Sequence, residues 1–355
     1  MKDKIRILVA GCGNMGSSHA RAYHKMPEFE IVGLVSLTPE SRKDLNDELG
    51  GLPGFNSFDE ALATTKPDAV SINTYPDSHA EYAIKSLEAD AHIFVEKPLA
   101  VTVEEAQKIA DKAKELNKKV VIGYILRVHP AWKKFIDISK TLGKPLVMRM
   151  NLNQQSSGKT WATHLNLMKS MSPIVDCGVH YVDVMCQMTE AEPISVNAIG
   201  AKLTDEVADD MYNYGHLQVK FSDGSVGWYE AGWGPMISET AFFVKDVFGP
   251  KGALSIMEKT GNSNDIDSHT QTNSLKLHHS QLGADRGFAK NDEIISTEDE
   301  PDHQGLCDLE QAFFLKAIQE DLDLTQHVND AINSLKIVLA ADKSFKTGKT
   351  VFLDE

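Results

Sequence analysis

The chain is poor in cysteine, has no long apolar run and carries no excess of positive charge. Its four cysteines, Cys12, Cys177, Cys186 and Cys307, are scattered through 355 residues with no CxxC pair. Isolated thiols exclude a disulfide framework and a cysteine-based zinc motif, and they suit a reducing compartment. No stretch approaches the roughly 20 apolar residues of a membrane-spanning helix. The 51 acidic residues outnumber 36 basic ones, for a net charge of −15. That balance argues against nucleic acid or an anionic membrane as partner. Val9-Ala10-Gly11-Cys12 looks like the end of a lipoprotein signal, but only Ile5 to Ala10 precedes it and Arg6 interrupts that run. A signal requires an apolar core of about 7–15 residues. These absences point to a cytoplasmic protein with no metal site, long enough for two domains.

What is present is a succession of short apolar runs separated by helical stretches. Residues 5–10, 30–36, 69–73, 92–95 and 120–123 read as strands. Helices fill the intervals, one ending near Met26 and others at 39–49, 78–89 and 103–116. Such alternation with short connections predicts a doubly wound parallel sheet over residues 1–123. The pattern then changes. A strand at 145–153 and a helix at 176–188 precede period-2 runs near 194–202, 213–222 and 225–233, the mark of a half-buried antiparallel sheet. The polar stretch 258–300 reads as sheet edge and loop, and helices at 306–320 and 328–345 lead to a last strand at 350–353. The expected class is α/β, with residues 124–355 as a second domain.

Between the first strand and its helix lies Gly11-Cys12-Gly13-Asn14-Met15-Gly16. G-x-G-x-x-G alone is a weak signal, but at a strand–helix junction opening a βαβ unit it reads as a dinucleotide turn, the mark of a Rossmann domain. Gly11 allows the tight turn, Gly13 lets backbone approach the pyrophosphate, and Gly16 lets helix pack on strand. Cys12 then lies in a nucleotide turn and carries no lipid. An acid at the end of the second strand normally binds the ribose of NAD. Here Ser36-Leu37-Thr38 offers none. Arg42 and Lys43, a turn later, could reach a 2′-phosphate or simply line a solvated helix face. The reading favours NAD, with weak discrimination against NADP.

Two further stretches carry ionisable groups. The fourth strand runs into Glu96-Lys97-Pro98, at the end of the sheet where doubly wound folds hold ligands. A partly desolvated lysine there can serve as acid or base, and the X-Pro bond there is a candidate cis peptide. Taken alone, the pair could be a surface ion pair. In Asp176-Cys177-Gly178-Val179-His180-Tyr181-Val182-Asp183, helical spacing puts Asp176, His180 and Asp183 near one face. Asp176 could be the helix N-cap, and His180 can carry a proton near neutral pH.

Together these stretches resemble the glucose-fructose oxidoreductase / inositol dehydrogenase / MocA family. The marks are GCGNMG at 11–16, EKP at 96–98 and D-x-G-x-H-x-x-D at 176–183; the segments 71–100, 123–132 and 340–353 also match. The resemblance implies reversible hydride transfer between a nicotinamide and a secondary alcohol of a sugar, cyclitol or glycoside. It implies Lys97 as catalytic lysine, Asp176 as substrate-orienting residue and His180 as proton-transfer residue. Glu96 and the turn Asn73-Thr74-Tyr75-Pro76 would line the cofactor beside His79, and Tyr124 and Arg127 would face the cleft. A second, substrate-binding α/β domain with a large open, mostly antiparallel sheet, and dimers or tetramers formed through that sheet, are implied as well. Two departures stand out. Ser172-Pro173 stands near where the family often has paired glycines, and the acid is missing at position 36.

The segment 153–171 is where substrate choice is expected, with Gln155, Trp161, His164 and Asn166 as sugar contacts or ordinary loop residues. The expected activity is that of an NAD(P)-dependent dehydrogenase acting on a sugar, a glycoside (C3 of a glucoside is one option) or a cyclitol, with a cofactor that could stay bound between turnovers. An inositol 2-dehydrogenase is the nearest alternative. A non-catalytic dinucleotide sensor is the alternative of another class, against which the intact Lys97, Asp176 and His180 speak. An imine or tetrapyrrole reductase is a weaker rival. Trp228, Tyr229 and Trp233 suggest an apolar sheet face for a homo-oligomer.

Overall fold

The computed structural model describes residues 4–238, 244–257, 270 and 272–353. They form two compact units. One comprises Met1–Val128 and Pro301–Ile332, the other His129–Glu300 and Asn333–Glu355.

The first unit begins β1 (Ile5–Ala10), α1 (Asn14–Lys25), β2 (Phe29–Val35), α2 (Pro39–Leu49), β3 (Gly54–Phe55), α3 (Phe58–Thr65) and β4 (Ala69–Ile72). It continues α4 (His79–Glu88), β5 (His92–Glu96), α5 (Val103–Glu115), β6 (Val120–Gly123) and the single turn α6 (Ile125–Val128). The strands are β-branched and buried on both faces, as a parallel sheet requires. Side-chain caps start two of these helices, whereas Thr38 before α2 makes no such bond. Ser57 accepts from the Glu60 amide at α3, and Thr102 from that of Glu105 at α5. Gly50, with φ of +89°, closes α2. The strand order is β3-β2-β1-β4-β5-β6, all parallel. The chain winds outward from β1 to β3 and then resumes at β4 on the other side of β1. That reversal is the switch point where doubly wound sheets bind ligands.

Several elements escape the sequence pattern: α6, the helices Pro130–Thr141 and Gly158–Leu167, the strands Lys245–Gly249 and Gly252–Met257, and in the first unit β3 and α3. β3 has two residues and α3 eight, too short for either period to register. The second difference concerns domain limits. Residues 301–332 were expected in the second domain, yet they belong to the first unit. There α11 (His303–Gln319) buries Leu306, Cys307, Phe314 and Ala317. Phe314 stacks 6.5 Å from Phe29 and lies 6.2 Å from Phe94. A fully buried phenylalanine contributes about 1.5–3 kcal/mol, which a linear division at residue 123 cannot foresee.

The second unit contains α7 (Pro130–Thr141), β7 (Val147–Gln155), α8 (Gly158–Leu167), α9 (Pro173–Asp176), α10 (Gly178–Thr189), β8 (Pro193–Ala201), β9 (Tyr214–Phe221) and β10 (Val226–Gly234). Then come β11 (Lys245–Gly249), β12 (Gly252–Met257), β13 (Ser274–His279) and β14 (Glu293–Ser296). The long α12 (Thr325–Thr347) and β15 (Val351–Phe352) end the chain. The nine strands are ordered β14-β13-β12-β11-β7-β10-β9-β8-β15. Every pairing is antiparallel except β7 with β10. Of the stretch expected to be sheet edge and loop, 258–269 and 271 lie outside the described residues. The remainder supplies the edge strands β13 and β14. One sheet face packs on α9 and α10. Tyr181 stacks on Tyr229 at 5.3 Å, and a Cβ on Gly178 would lie 2.8 Å from the Tyr229 ring. Tyr229 and Trp233, expected on an outer apolar face, are therefore buried inside. Trp228 alone of the three is on the other face, with Val226 and, by register, Val147. Among the described residues no helix is long and apolar enough to cross a membrane.

Candidate active site

In the first unit the strand ends lock around the glycine turn. The Gly11 amide donates to Val35 O at 2.8 Å, and that of Asn73 to Ala10 O at 2.7 Å. Gly11 has φ of +92°, and a Cβ on it would stand 2.4 Å from Asn73 O. A Cβ on Gly16 would stand 1.9 Å from Gly11 O, whereas one on Gly13 would meet nothing within 4 Å. The protein's own packing demands the outer two glycines. The middle one faces open space, as the approach of a pyrophosphate requires. Gly13 is the N-cap of α1, an end no side chain caps, so the first turn, with Asn14 and Met15, offers amides to an anion. The turn thus fits a dinucleotide. Cys12 is buried with its thiol 3.6 Å from Val35 O, and burial pushes its pKa up to about 11.

At the end of β2, Ser36 Oγ accepts from the Thr38 amide at 3.1 Å, and Leu37 is 85% exposed. Arg42 braces this turn from within. Its Nη1 donates to the carbonyls of Ser36 and Phe55 and to Asn56 Oδ1. The arginine considered for a 2′-phosphate thus directs that nitrogen to the backbone, and Lys43 pairs with Asp47. After β4, Thr74 Oγ1 and Ser78 Oγ lie 2.6 Å apart, and Tyr75 is exposed. His79 is wholly buried, with Nδ1 2.8 Å from Pro98 O and Nε2 2.9 Å from Thr74 O. It ties the turn after β4 to the turn after β5. Burial lowers its pKa against the pull of the two carbonyls.

Glu96 ends β5 and Lys97 follows it, half-buried, before a cis Pro98, the isomer considered from sequence. Glu96 Oε1 pairs with His19 at 2.7 Å, and Oε2 accepts the Lys97 amide at 3.1 Å. Tyr124 is buried under the Arg127 guanidinium, 4.8 Å from its ring centroid, and Arg127 Nη1 donates to His327 O at 2.8 Å.

In the second unit Ser172 is the N-cap of α9, accepting from the Val175 amide at 3.2 Å, and Pro173 takes the first helical position. Asp176 therefore ends this short helix instead of capping one, and α10 resumes at Gly178. Asp176 and His180 are half-buried, whereas Asp183 is buried and accepts from Gln187 at 2.8 Å. Of the expected sugar contacts, Trp161 does not present an open face. It packs with Met168, Cys177, Val207 and Trp233, and its Nε1 donates to Glu206 at 3.2 Å. His164 is buried, stacked on Trp233 at 4.4 Å with Nδ1 2.9 Å from Ser156 Oγ. Burial brings its pKa down to about 4, partly opposed by the Asp176 charge. Gln155 and Asn166 are exposed; Gln155 donates to Ile237 O at 2.7 Å, and Asn166 accepts from Lys169 at 3.1 Å. The neighbour that the sequence reading passed over is Gln154. Its Oε1 accepts from Trp233 Nε1 at 2.8 Å and lies 3.6 Å from Cys177 Sγ. Period 2 along β7 sets it opposite Gln155, which was the only signal available.

A Rossmann sheet with an open glycine cradle at its switch point, followed along the chain by a unit built on a mixed sheet, is the architecture of a dinucleotide-dependent oxidoreductase. Residues 5–124 match the family described as "Oxidoreductase family, NAD-binding Rossmann fold", and 131–255 match the GFO/IDH/MocA C-terminal domain. The chain belongs to the Gfo/Idh/MocA family of oxidoreductases. It is 26% identical to scyllo-inositol 2-dehydrogenase (NAD(+)) of Bacillus subtilis, covering 100% of this chain and 98% of that one. It is 29% identical to UDP-N-acetylglucosamine 3-dehydrogenase of Acidithiobacillus ferrooxidans over 58% of this chain and 61% of that one. The fold matches scyllo-inositol dehydrogenase from Lactobacillus casei, solved with NAD(H) and scyllo-inositol, at a TM-score of 0.77 and 20% identity, covering 99% and 100% of the chains.

Proposed function

We propose that the protein is an NAD-dependent dehydrogenase that oxidises, reversibly, a secondary hydroxyl of a cyclitol, sugar or glycoside. The observation that carries the reading is Lys97. It stands half-buried at the carboxyl end of β5, on the sheet whose glycine cradle is open, with its amide anchored on Glu96. Bound NAD supplies the hydride acceptor. Lys97 polarises the substrate oxygen, His180 takes the hydroxyl proton, and Asp176 anchors a neighbouring hydroxyl. Positioning and preset charge supply most of the rate. Cyclitols are the first substrates to try, because the relative matched from end to end is a scyllo-inositol 2-dehydrogenase.

The test is a screen of inositols, sugars and glucosides by NADH absorbance, with nucleotide identified by mass spectrometry after denaturation. Lys97→Ala and His180→Ala should each lower kcat about 10²–10⁴-fold, with NAD affinity nearly unchanged. Near-normal turnover in the double variant would refute the assignment. No turnover with any polyol and no bound nucleotide would favour a sensor. A homo-oligomer formed through the sheet face bearing Trp228 and Val226 is part of the same reading. A monomer by light scattering at micromolar concentration would contradict it.

A further inference from the structure

Behind Glu96 and Lys97, buried side chains form one hydrogen-bonded chain with a single sense of donation. The Tyr23 hydroxyl donates to Gln311 Oε1 at 2.5 Å, and Gln311 Nε2 lies 2.8 Å from His19 Nδ1. An amide nitrogen only donates, so Nδ1 accepts and the ring hydrogen resides on Nε2. Nε2 then donates to Glu96 Oε1 at 2.7 Å, while the Lys97 amide donates to Oε2 at 3.1 Å. All four side chains, Tyr23, Gln311, His19 and Glu96, are at most 6% exposed. Gly123 pairs with Glu96 across the β5–β6 ladder, and a Cβ there would come within 3.0 Å of the carboxylate. Room for this carboxylate is therefore built into the neighbouring strand.

We infer that His19 is a positioning residue for Lys97: it fixes the Glu96 carboxylate, which anchors the lysine's backbone and places a negative charge beside its ammonium, and Gln311 selects the histidine tautomer that does so. The inference rests on the reading of Lys97 as the catalytic lysine. Burial raises the Glu96 pKa, yet the His19 hydrogen bond and the Lys97 charge hold it below the ordinary range. Glu310 lies beside His19, 3% exposed, and among the described residues neither of its oxygens has a hydrogen-bond partner. Burial and the Glu96 charge push its pKa well above the ordinary range. Two carboxyls thus share the site, and ionisation of one opposes ionisation of the other. His19, Cys307 and Glu310 also offer ligand atoms within 4.8 Å of one another. Both His19 nitrogens are already engaged, so a metal would have to break the chain.

Two readouts separate positioning from packing. The first needs no substrate. In protein labelled with 15N-histidine, the resonances lost in His19→Gln should be those of the Nε2–H tautomer near neutral pH. The second uses whichever polyol the wild type oxidises. His19→Leu should lower kcat about tenfold or more, with KM for NAD nearly unchanged. It should also move the lysine limb of kcat/KM to lower pH by roughly half a unit or more, because an ammonium that loses a fixed carboxylate neighbour gives up its proton more readily. His19→Gln retains a donor toward Glu96 and should recover most of the loss. Gln311→Met removes the donor to Nδ1 together with the acceptor of the Tyr23 hydroxyl, leaves the His19–Glu96 pair in place and should give a smaller shift of the same sign; it decides the matter if His19→Leu does not fold. An Nδ1–H tautomer, a stoichiometric bound metal, or a wild-type pH profile in folded His19→Leu or Gln311→Met would overturn the inference. Lack of turnover with every polyol would refute the functional reading instead, and the tautomer would still be decided by the resonances.

Discussion

At the level of single residues, the three glycines of the turn make opposite demands. Gly16 is fixed by the fold, because a Cβ would stand 1.9 Å from Gly11 O. Gly13 is fixed by nothing within the protein. Gly16→Ala should therefore cost several kcal/mol, about the upper range for overpacking. Gly13→Ala should leave the melting temperature almost unchanged and lower NAD affinity about tenfold or more, roughly 1.4 kcal/mol. Thermal melts and NAD titration of both variants check this, and a Gly13→Ala protein that binds NAD normally would remove the cradle from the argument. Glu310 gives a second contrast. Its pKa is raised on folding, so its contribution is fully present below the unfolded value near 4.5 and is lost as pH rises from there. Glu310→Gln has no proton to lose. It should melt higher than the wild type by about 2–4 °C at pH 8, the shift one kcal/mol produces in domains of 150–250 residues, and by less at pH 5. An equal change at both pH values would mean that Glu310 is not held neutral.

Among the elements, α9 and α10 depend on a brace that sequence order hides. Ser172 caps α9 and also donates to Asp342 Oδ1 at 2.7 Å, while the Tyr212 hydroxyl lies 2.5 Å from the same oxygen. Asp342 belongs to α12, 170 residues further along the chain. Ser172-Pro173, noticed only as a departure from paired glycines, thus starts the helix that ends at Asp176. Ser172→Ala should cost about 1–2 kcal/mol as a lost cap and lower turnover while NAD affinity, which belongs to the first unit, stays the same. Equal losses in both would show a global effect instead. The same logic explains what was legible in the sequence. The parallel strands, the glycine turn, Lys97, Asp176 and His180 stood out because period, punctuation and residue type coincide over a few positions. The two-residue β3, the return of α11 to the first unit, the inward turn of Trp161 and the Tyr23-Gln311-His19 chain did not. Each of these depends on which segment covers a given face, and spacing along one element contains no such information.

For the whole molecule, histidines with lowered pKa values, some buried and some half-buried, set the response to acid. His92 and His164 are brought down to about 4 chiefly by burial, and His327 is lowered well below its usual value by burial and by Arg127. Two of these rings are acceptors by geometry. The Lys119 amide donates to His92 Nδ1 and the Ile122 amide to His327 Nε2, both at 3.0 Å. Those amides belong to the run that includes β6, the edge strand of the Rossmann sheet. Protonation would turn each acceptor into a donor facing a donor and leave an edge amide unpaired. His164 in the second unit suffers no such conflict, because the Ser156 hydroxyl beside it can accept as readily as donate. In the unfolded chain these rings titrate near 6.5, so below that value the unfolded state binds more protons and stability falls as pH drops toward about 4. Acid should therefore weaken both units, and the first more, because His79, His92 and His327 are all lowered there against His164 and His216 in the second, and two of the first unit's rings would also lose a backbone donor. Hydrogen exchange at pH 5 and 7.5, corrected for intrinsic rates, should show protection at residues 119–123 falling at the lower pH by more than that of β9 and β10, and saturating NAD should restore part of it by binding the folded first unit. Equal loss of protection in both sheets, or none in either, would refute the account of these rings as neutral acceptors that hold the sheet edge.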